Sequence, residues 1–240
     1  MNDSHEEIRR ARARELASEY ATRGDSVGWF EAFYREAGGD NGQIPWADLE
    51  PNKFFTSWAE DVELKGNGRK ALVVGCGLGD DARYLYDLGF EVTAFDISPT
   101  AIEWARRLHK ETSIQFEVAD LFEPPAAWIA SANPPAATGG TDKTSGFDFV
   151  LEVYTIQPLP LEMRKSVIDA IAAFVAKDGE LVVVTGGRED DEEPVQLPWP
   201  LSRKDLAQFE TRGLAQTDFR NIPGDEDPPI PRFVVDHRKR

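Results

Sequence analysis

Three glycines stand at every second position between an apolar run and a helical pattern, in the segment that reads VVGCGLGDDARYL. Because Gly75, Gly77 and Gly79 follow a predicted strand and precede a predicted helix, the chain must turn tightly there, let a ligand approach its backbone and offer N–H groups at a helix N-terminus. An anionic group is expected at this turn. The spacing does not match the dinucleotide fingerprint G-x-G-x-x-G, since the sixth position is Asp80. Asp80 or Asp81 would cap the helix and repel a pyrophosphate, which favours an amino-acid headgroup.

Two further acids follow apolar runs. Asp96 ends the second predicted strand, and Asp120 comes just after the third, with Leu121 and Phe122 beside it. The carboxyl ends of parallel strands open onto the crevice where α/β sheets bind ligands. There Asp96 suits a pair of ribose hydroxyls, and Asp120 with its apolar neighbours suits adenine. Each acid alone is as readily a cap or turn residue, whereas the ordered set indicates a nucleoside site.

The elements that position these residues alternate between strand and helix from Lys70 onward. Apolar runs predict strands over 71–74, 91–96, 114–119, 147–152 and 180–185, and helical spacing predicts helices over 80–88, 99–109 and 161–176. A helix over 202–212 and strands over 214–221 and 232–237 follow. This pattern predicts an α/β fold, a three-layer α/β/α sandwich with a Rossmann-like, seven-stranded, mostly parallel sheet and an antiparallel last strand.

The segment before the sheet is predicted to be helical. Apolar spacing predicts helices over 4–21, 26–37 and 53–60, with a turn-rich loop over 37–52. We expect a single domain over 1–240, with N-terminal helices and a lid over 1–65 and a cofactor-binding core over 70–240. The stretch 124–146 is rich in Pro, Ala and Gly and predicts a surface loop without chemistry.

Composition narrows the class of partner. The 240 residues carry 27 Lys plus Arg against 43 Asp plus Glu, a formal net charge of −16, which disfavours nucleic acid. The single cysteine, Cys76, excludes an internal disulfide, and no apolar run is long enough for a membrane span. A cytoplasmic protein, monomeric or weakly dimeric, is expected. His5, His109 and His237 are scattered and predicted to be at the surface, so no metal or catalytic cluster is indicated.

Longer stretches carry a family resemblance. The segments VVGCGLGDDARYLYDLGFEVTAFDIS and VADLF resemble the cofactor half of the class I S-adenosylmethionine-dependent methyltransferases. The apolar Val73, the segment DISPTAIEWAR and the upstream GWFEAFYREAGGDNGQIPWADLEPN are similar to the thiopurine and thiol/halide methyltransferase-like branch. The resemblance runs from Trp29 to the final strand without the Pro-rich loop. It implies S-adenosylmethionine as the cofactor and a thiol-like, small-molecule acceptor.

The resemblance also implies roles for individual residues. It puts the three glycines against the methionine end, Asp96 with Ile97 at the ribose, and Asp120, Leu121 and Phe122 at adenine. Trp29, Tyr34 and Trp46 are implied to lie near the cofactor or the acceptor mouth, where an aromatic face would attract a sulfonium. The helical spacing of Trp29 and Tyr34 is equally consistent with packing in the core.

One segment departs from the branch. After the fourth strand the chain reads LEVYTIQPLP, so that Glu152 replaces the branch's Asp and Val153 stands in the place of its Arg. Tyr154 is predicted to orient the acceptor, with Gln157 nearby. Glu152 is predicted either to act at the site, including a contact to the methionine amine, or to bond backbone in a structural role.

Residues after the fifth strand complete the predicted acceptor site. Arg188 could restore the missing cation or pair with the acidic run 189–193, and Trp199 could wall the pocket. Methyl transfer is an in-line displacement that depends mainly on alignment, and a thiol reacts without a strong base. A thiol sulfur is therefore the predicted acceptor. The alternatives are an O-, N- or halide methyltransferase, a non-catalytic S-adenosylmethionine-binding protein and a dinucleotide-dependent oxidoreductase, the last disfavoured by the glycine spacing.

Overall fold

A computed structural model describes residues 2–130, 146–226 and 229–240. Helices α1 (Asn2–Ala21), α2 (Gly28–Ala37) and α3 (Lys53–Asp61) precede the sheet. Then come β1 (Lys70–Val74), α4 (Asp80–Asp87), β2 (Glu91–Asp96), α5 (Pro99–Leu108), β3 (Gln115–Val118), β4 (Phe147–Val153), α6 (Arg164–Phe174), β5 (Val175–Gly186), α7 (Arg203–Ala207), β6 (Leu214–Pro223) and β7 (Pro231–Lys239). Most of the predicted loop 124–146 lies outside the described residues.

The seven strands form one sheet in the order β3-β2-β1-β4-β5-β7-β6. The pairs β1–β2, β1–β4, β2–β3 and β4–β5 are parallel, and β7 is antiparallel to both β5 and β6. This confirms the predicted mostly parallel sheet with an antiparallel last strand. The switch in strand order between β1 and β4 opens the crevice at their carboxyl ends.

The central strands β1, β4 and most of β5 are buried on both faces because their side chains alternate between two apolar layers, whereas the edge strands β3 and β6 are largely exposed. Leu72 and Val74 of β1 pack with residues of α6 and α7, whereas Ala71 and Val73 pack with residues of α3, α4 and α5. This alternation explains why β1 is a continuous apolar run in the sequence. Helices α1 and α2 form a third cluster with Trp104 of α5, over the crevice end of the sheet.

Three details differ from the predicted elements. Helix α6 ends at Phe174, and Val175 already pairs with Phe147, after which the chain turns at Asp178 with φ 61° and resumes pairing. Helix α7 ends at Ala207 and continues as a 3-10 helix over Gln208–Arg212. The prediction that His237 is exposed is wrong, because it is buried on β7 and its pKa is lowered to about 4 by that burial.

Candidate active site

A cleft of about 1000 Å³ lies at the carboxyl ends of β1, β2 and β4, under α1 and α2. Its volume is at the upper end of the range for small-molecule sites, which gives room for a nucleoside and a second small molecule. The cleft brings together most of the residues that the sequence singled out, namely Trp29, Tyr34, Trp46, Gly75, Gly77, Asp96, Ile97, Asp120, Leu121, Phe122, Tyr154, Gln157 and Arg188.

Three predicted site residues do not line the cleft: Gly79, Glu152 and Trp199. Gly79 has φ 90°, and a Cβ there would overlap the ring of Phe116, so this glycine is needed for the turn into α4 and for close packing. Trp199 uses its backbone N–H to bond the Gln157 carbonyl at 2.8 Å. The Gly79 backbone and the Trp199 side chain therefore do not form part of the cleft surface.

The glycine turn is held by Asp96. One Asp96 carboxylate oxygen accepts the N–H of Gly77 at 2.9 Å and the other accepts the N–H of Ser98 at 2.9 Å. Burial raises the pKa of Asp96, and these two hydrogen bonds oppose the rise. Asp96 is only 8% exposed, but it lines the cleft, so its remaining lone pairs can accept from a ligand.

The first turn of α4 differs from the prediction. Neither Asp80 nor Asp81 caps the helix, whose N-cap is Gly79 without any side-chain hydrogen bond. Asp81 accepts the N–H of Asn52 at 2.7 Å instead, and burial raises its pKa to about 6. The helix N-terminus therefore presents backbone amides at the cleft, an arrangement that suits a carboxylate.

Aromatic residues form the wall opposite the glycine turn. The indole N–H of Trp46 donates to the Tyr34 hydroxyl at 2.9 Å, and the Trp46 ring lies 6.1 Å from that of Trp29 and 5.0 Å from that of Phe33. A Cβ on Gly77 would stand 3.0 Å from the Tyr34 hydroxyl. Trp29 and Tyr34 are almost fully buried and also line the cleft, so the two readings of these residues, core packing and ligand contact, are compatible.

Sequence reasoning missed the link that holds α2 over the sheet. Glu31 accepts from the hydroxyls of Ser98 and Thr100 at 2.7 and 2.8 Å and from the N–H of Thr100 at 3.1 Å. Burial works to raise the pKa of Glu31, but these hydrogen bonds outweigh it and the pKa is lowered. Ser98 before a helical pattern indicates a capping residue at the start of α5. Its hydrogen-bond partner Glu31 lies 67 residues earlier in the chain, and no local pattern links the two.

The floor of the cleft is the turn after β4. Glu152 is fully buried beneath it and accepts the N–H groups of Thr155 and Ile156 at 2.5 and 2.9 Å, so the structural role predicted for Glu152 is the one its contacts show. Burial raises its pKa to about 7. Tyr154, at the crest of the turn, has φ 58°, a conformation that this buried carboxyl and the Thr155 hydroxyl bond to the Val74 carbonyl hold in place.

The residues predicted at the acceptor end are tied to their own surroundings. Gln157 Oε1 accepts the Gly186 N–H at 2.8 Å. Arg188 donates to Asp205 at 3.0 Å and to the carbonyls of Glu192 and Pro200 at 2.6 and 3.1 Å. Arg188 therefore pairs with Asp205, and with the acidic run only through backbone carbonyls.

Charge in the cleft is strongly negative. Among the described residues, the lining contains eleven Asp or Glu side chains, four Arg and neither Lys nor His. Cys76 is partly buried at the cleft, and desolvation raises the pKa of its thiol well above its usual range, which favours the protonated form. In the described ranges, no group of three or more His, Cys, Asp or Glu is arranged to hold a metal ion, and none of the helices has both the length and the apolar character needed to cross a membrane.

Comparison with known proteins places this cleft in a known class. Residues 71–132, which contain the glycine turn, Asp96 and Asp120, match the family described as methyltransferase domain. A relative from Mycobacteroides abscessus, 2-heptyl-1-hydroxyquinolin-4(1H)-one methyltransferase, is 22% identical over 216 residues, 85% of this chain and 87% of the relative.

Two solved structures share the fold. One, described as "Conversion of a Disulfide Bond into a Thioacetal Group during Echinomycin Biosynthesis", has a TM-score of 0.64 and 20% identity, covering 88% of this chain and 90% of the other. The second, Burkholderia thailandensis 1,6-didemethyltoxoflavin-N1-methyltransferase with S-adenosylhomocysteine, has a TM-score of 0.62 and 16% identity, covering 92% and 89%.

The methyltransferase-domain match and the methyltransferase relative indicate that this chain is an S-adenosylmethionine-dependent methyltransferase, and its fold is that of the class I enzymes. The predicted enzyme class and cofactor are thereby confirmed. The residues present fit this cofactor, because the uncapped start of α4 suits its carboxylate and the aromatic wall suits its positive sulfur.

Proposed function

We propose that this enzyme transfers the methyl group to the thiol sulfur of a small, largely apolar acceptor. The observation that supports this acceptor is that the described lining of the cleft has no His or Lys, so that carboxylates and tyrosines are the bases it offers. A hydroxyl or amine acceptor commonly needs a general base, whereas a thiol does not depend on one. A free thiol has a pKa of about 8.5 and ionises enough at neutral pH to react unaided. The structural neighbour described by a disulfide-to-thioacetal conversion is consistent with sulfur chemistry on this fold.

The cofactor is proposed to lie across the carboxyl ends of β1 and β2. Its carboxylate would meet the turn at Gly75 and Gly77 and the start of α4, its ribose would meet Asp96 and Ile97, and its adenine would lie by the Asp120 segment. Gly75 is packed so closely against Thr155 that any Cβ would overlap that side chain, which keeps the backbone exposed to the ligand. The Asp120 carboxylate accepts the Phe122 N–H at 2.8 Å and so presents an ordered segment to the ring, with Leu121 beside it.

The chain's own residues are proposed to align the reactants and to exclude water. S-adenosylmethionine supplies a methyl carbon activated by a positive sulfur. Trp29, Tyr34 and Trp46 would hold that positive charge against aromatic faces, and α1 would cover the cleft with Ala13 and Arg14. Tyr154 would orient the acceptor from the floor, with Gln157 at its side.

Glu152 is proposed as a positioning residue rather than a catalytic one, since it acts through the turn that carries Tyr154. The narrower resemblance to the thiopurine and thiol/halide methyltransferase-like branch remains part of this proposal. It is supported by the position of Trp46 at the cleft, and it is weakened by Val153 standing in the place of the branch's Arg.

A second candidate acceptor is the hydroxyl of a flat heteroaromatic compound. The relative from Mycobacteroides abscessus carries such a substrate in its name, and Trp46 and Phe122, 41% and 39% exposed, offer flat faces at the cleft mouth. A heteroaromatic N-hydroxyl is acidic and would also react without a strong base.

Several broader properties belong to the same proposal. The net charge of −16 supports the absence of a nucleic-acid partner. We also propose that the enzyme is cytoplasmic, monomeric or weakly dimeric, and a single domain.

The test is product identification. The purified enzyme is incubated with S-adenosylmethionine and a panel of thiols, phenols, N-hydroxy heteroaromatics, amines and halides, and products are identified by mass. Methylation of thiols at rates well above the other classes supports the proposal. Turnover restricted to N-hydroxy heteroaromatics would select the second candidate, and binding of cofactor without any transfer would select a non-catalytic protein.

A further inference from the structure

An ion pair lies beside Tyr154 at the acceptor end of the cleft. Arg232 donates one guanidinium nitrogen to Glu226 Oε1 and another to the Ile230 carbonyl at 2.9 Å, and both charged residues line the cleft. Burial raises the pKa of Tyr154, while Arg232 and the Asn52 side chain oppose the rise and Glu226 adds to it. Arg232, Glu226 and Tyr154 all line the same cleft, and both charges bear on the pKa of the Tyr154 hydroxyl.

Arg232 is a cation that could hold an anionic acceptor, but its charge is already matched. The Arg232 side chain is 16% exposed, and its guanidinium pairs with the carboxylate of Glu226 and lies 6.0 Å from the centre of the Phe54 ring. The second oxygen of Glu226, Oε2, is buried and has no hydrogen-bond partner among the described residues. Glu226 thus offsets the charge of Arg232.

The other cations of the cleft are matched as well. In the described lining, Arg10 pairs with Glu6, Arg14 pairs with Glu7 and Arg188 pairs with Asp205. The remaining lining charges are carboxylates, so an anionic acceptor would meet repulsion without a free cation to offset it.

We propose that Glu226 is a specificity residue, which makes the acceptor site select neutral or cationic molecules and reject anionic ones by neutralising Arg232. This inference rests on the proposed function, since it concerns the acceptor of the same cleft. Specificity of this kind comes from repelling the wrong partner as much as from attracting the right one. Removing the charge of Glu226 while keeping its shape would unmask Arg232 and admit the anion.

The test compares two acceptors that share shape and reacting group, 4-mercaptobenzamide and 4-mercaptobenzoate. The wild-type enzyme is expected to favour the amide by about tenfold or more in kcat/KM. Glu226→Gln keeps an oxygen for Arg232 but removes the charge, and we expect the preference to fall by about tenfold, mostly through a lower KM for the benzoate. Asp225→Asn is the matched control, because this neighbour is 80% exposed and pairs with Lys53 outside the cleft lining. It should leave the preference unchanged.

Two additions keep the result decisive. Binding of both compounds to the enzyme loaded with S-adenosylhomocysteine is measured by calorimetry, and the pair 4-hydroxybenzamide and 4-hydroxybenzoate is run in parallel. If the enzyme converts only the phenols, the thiol proposal is refuted. The comparison of 4-hydroxybenzamide with 4-hydroxybenzoate would still measure the preference for the neutral acceptor. Three results would overturn the role of Glu226. The wild-type enzyme could bind or convert the anionic compounds as well as or better than the neutral ones, it could fail to bind the neutral ones, or Asp225→Asn could shift the preference as much as Glu226→Gln.

Discussion

Asp96 offers the sharpest test of the cofactor site. Its two carboxylate oxygens each accept one backbone N–H, from Gly77 and Ser98, at 2.9 Å. In Asp96→Asn, one oxygen is replaced by an NH₂ group, which cannot accept a hydrogen bond. The side chain that would accept from the ribose hydroxyls also loses its negative charge. A hydrogen bond to a charged group contributes about 1.5–3 kcal/mol, so we expect cofactor affinity to fall by about 2–3 kcal/mol, roughly 30- to 150-fold in Kd.

The empty protein should be far less affected. Burial raises the pKa of Asp96, which means that its charge is costly in the folded state, and the neutral Asn relieves this cost while losing one hydrogen bond. In a chain of 240 residues, each kcal/mol of stability corresponds to about 2–4 °C, so we expect the unfolding temperature without cofactor to change by only a few degrees.

The assay is calorimetric titration of S-adenosylmethionine and S-adenosylhomocysteine into both proteins, with thermal unfolding in parallel. The control is Asp87→Asn, an exposed carboxylate that pairs with Arg83 on the outer side of α4 and should leave Kd unchanged. A Kd for Asp96→Asn within threefold of the wild-type value, in a folded protein, would refute the reasoning.

Three further predictions concern the floor, the wall and the thiol. The pKa of Glu152 is raised from 4.5 to about 7 in the folded protein. Between these two pH values the folded protein keeps the proton on Glu152, whereas the unfolded chain has released it. The contribution of this group to stability is therefore lost as the pH rises from about 4.5 to 7. In chemical denaturation, the free energy of unfolding of Glu152→Gln minus that of the wild type should be about 2 kcal/mol larger at pH 8 than at pH 5. A difference that does not depend on pH contradicts this. Trp46→Phe removes the 2.9 Å bond to the Tyr34 hydroxyl and part of the aromatic wall, and should weaken S-adenosylhomocysteine binding about three- to tenfold by calorimetry; unchanged affinity would remove Trp46 from the site. Because desolvation raises the pKa of Cys76, iodoacetamide should label it slowly in the native protein and readily in urea, as followed by mass. Rapid native labelling would contradict the raised pKa.

The sheet was largely predictable because its signal is local. Short apolar runs predicted β1 and β2 to within one residue, since most positions of a strand near the centre of a parallel sheet are buried and apolar. The start of β5 was missed because the residues 175–179 extend a helical pattern, and only pairing of Val175 with Phe147 makes them a strand. Tertiary pairing overrides local preference there.

The site was predictable where residues follow strands and unpredictable where distant segments meet. Asp96 could be placed at the cleft from its position after β2, and the structure puts it there. The pairing of Arg188 with Asp205 and the contact of Glu31 with Ser98 join residues 17 and 67 positions apart, which the sequence does not encode locally. Glu226 and Arg232 are six positions apart, but their place in the same cleft as Tyr154 depends on the fold.

The most direct test of the account is transfer of a labelled methyl group. The enzyme is incubated with S-adenosylmethionine carrying a deuterated methyl group and with 4-mercaptobenzamide, and the products are analysed by mass. We expect one deuterated methyl group on the sulfur of the acceptor, with one S-adenosylhomocysteine formed for each product. Failure of the folded protein to bind the cofactor, or to form any methylated product across the whole acceptor panel, would contradict it.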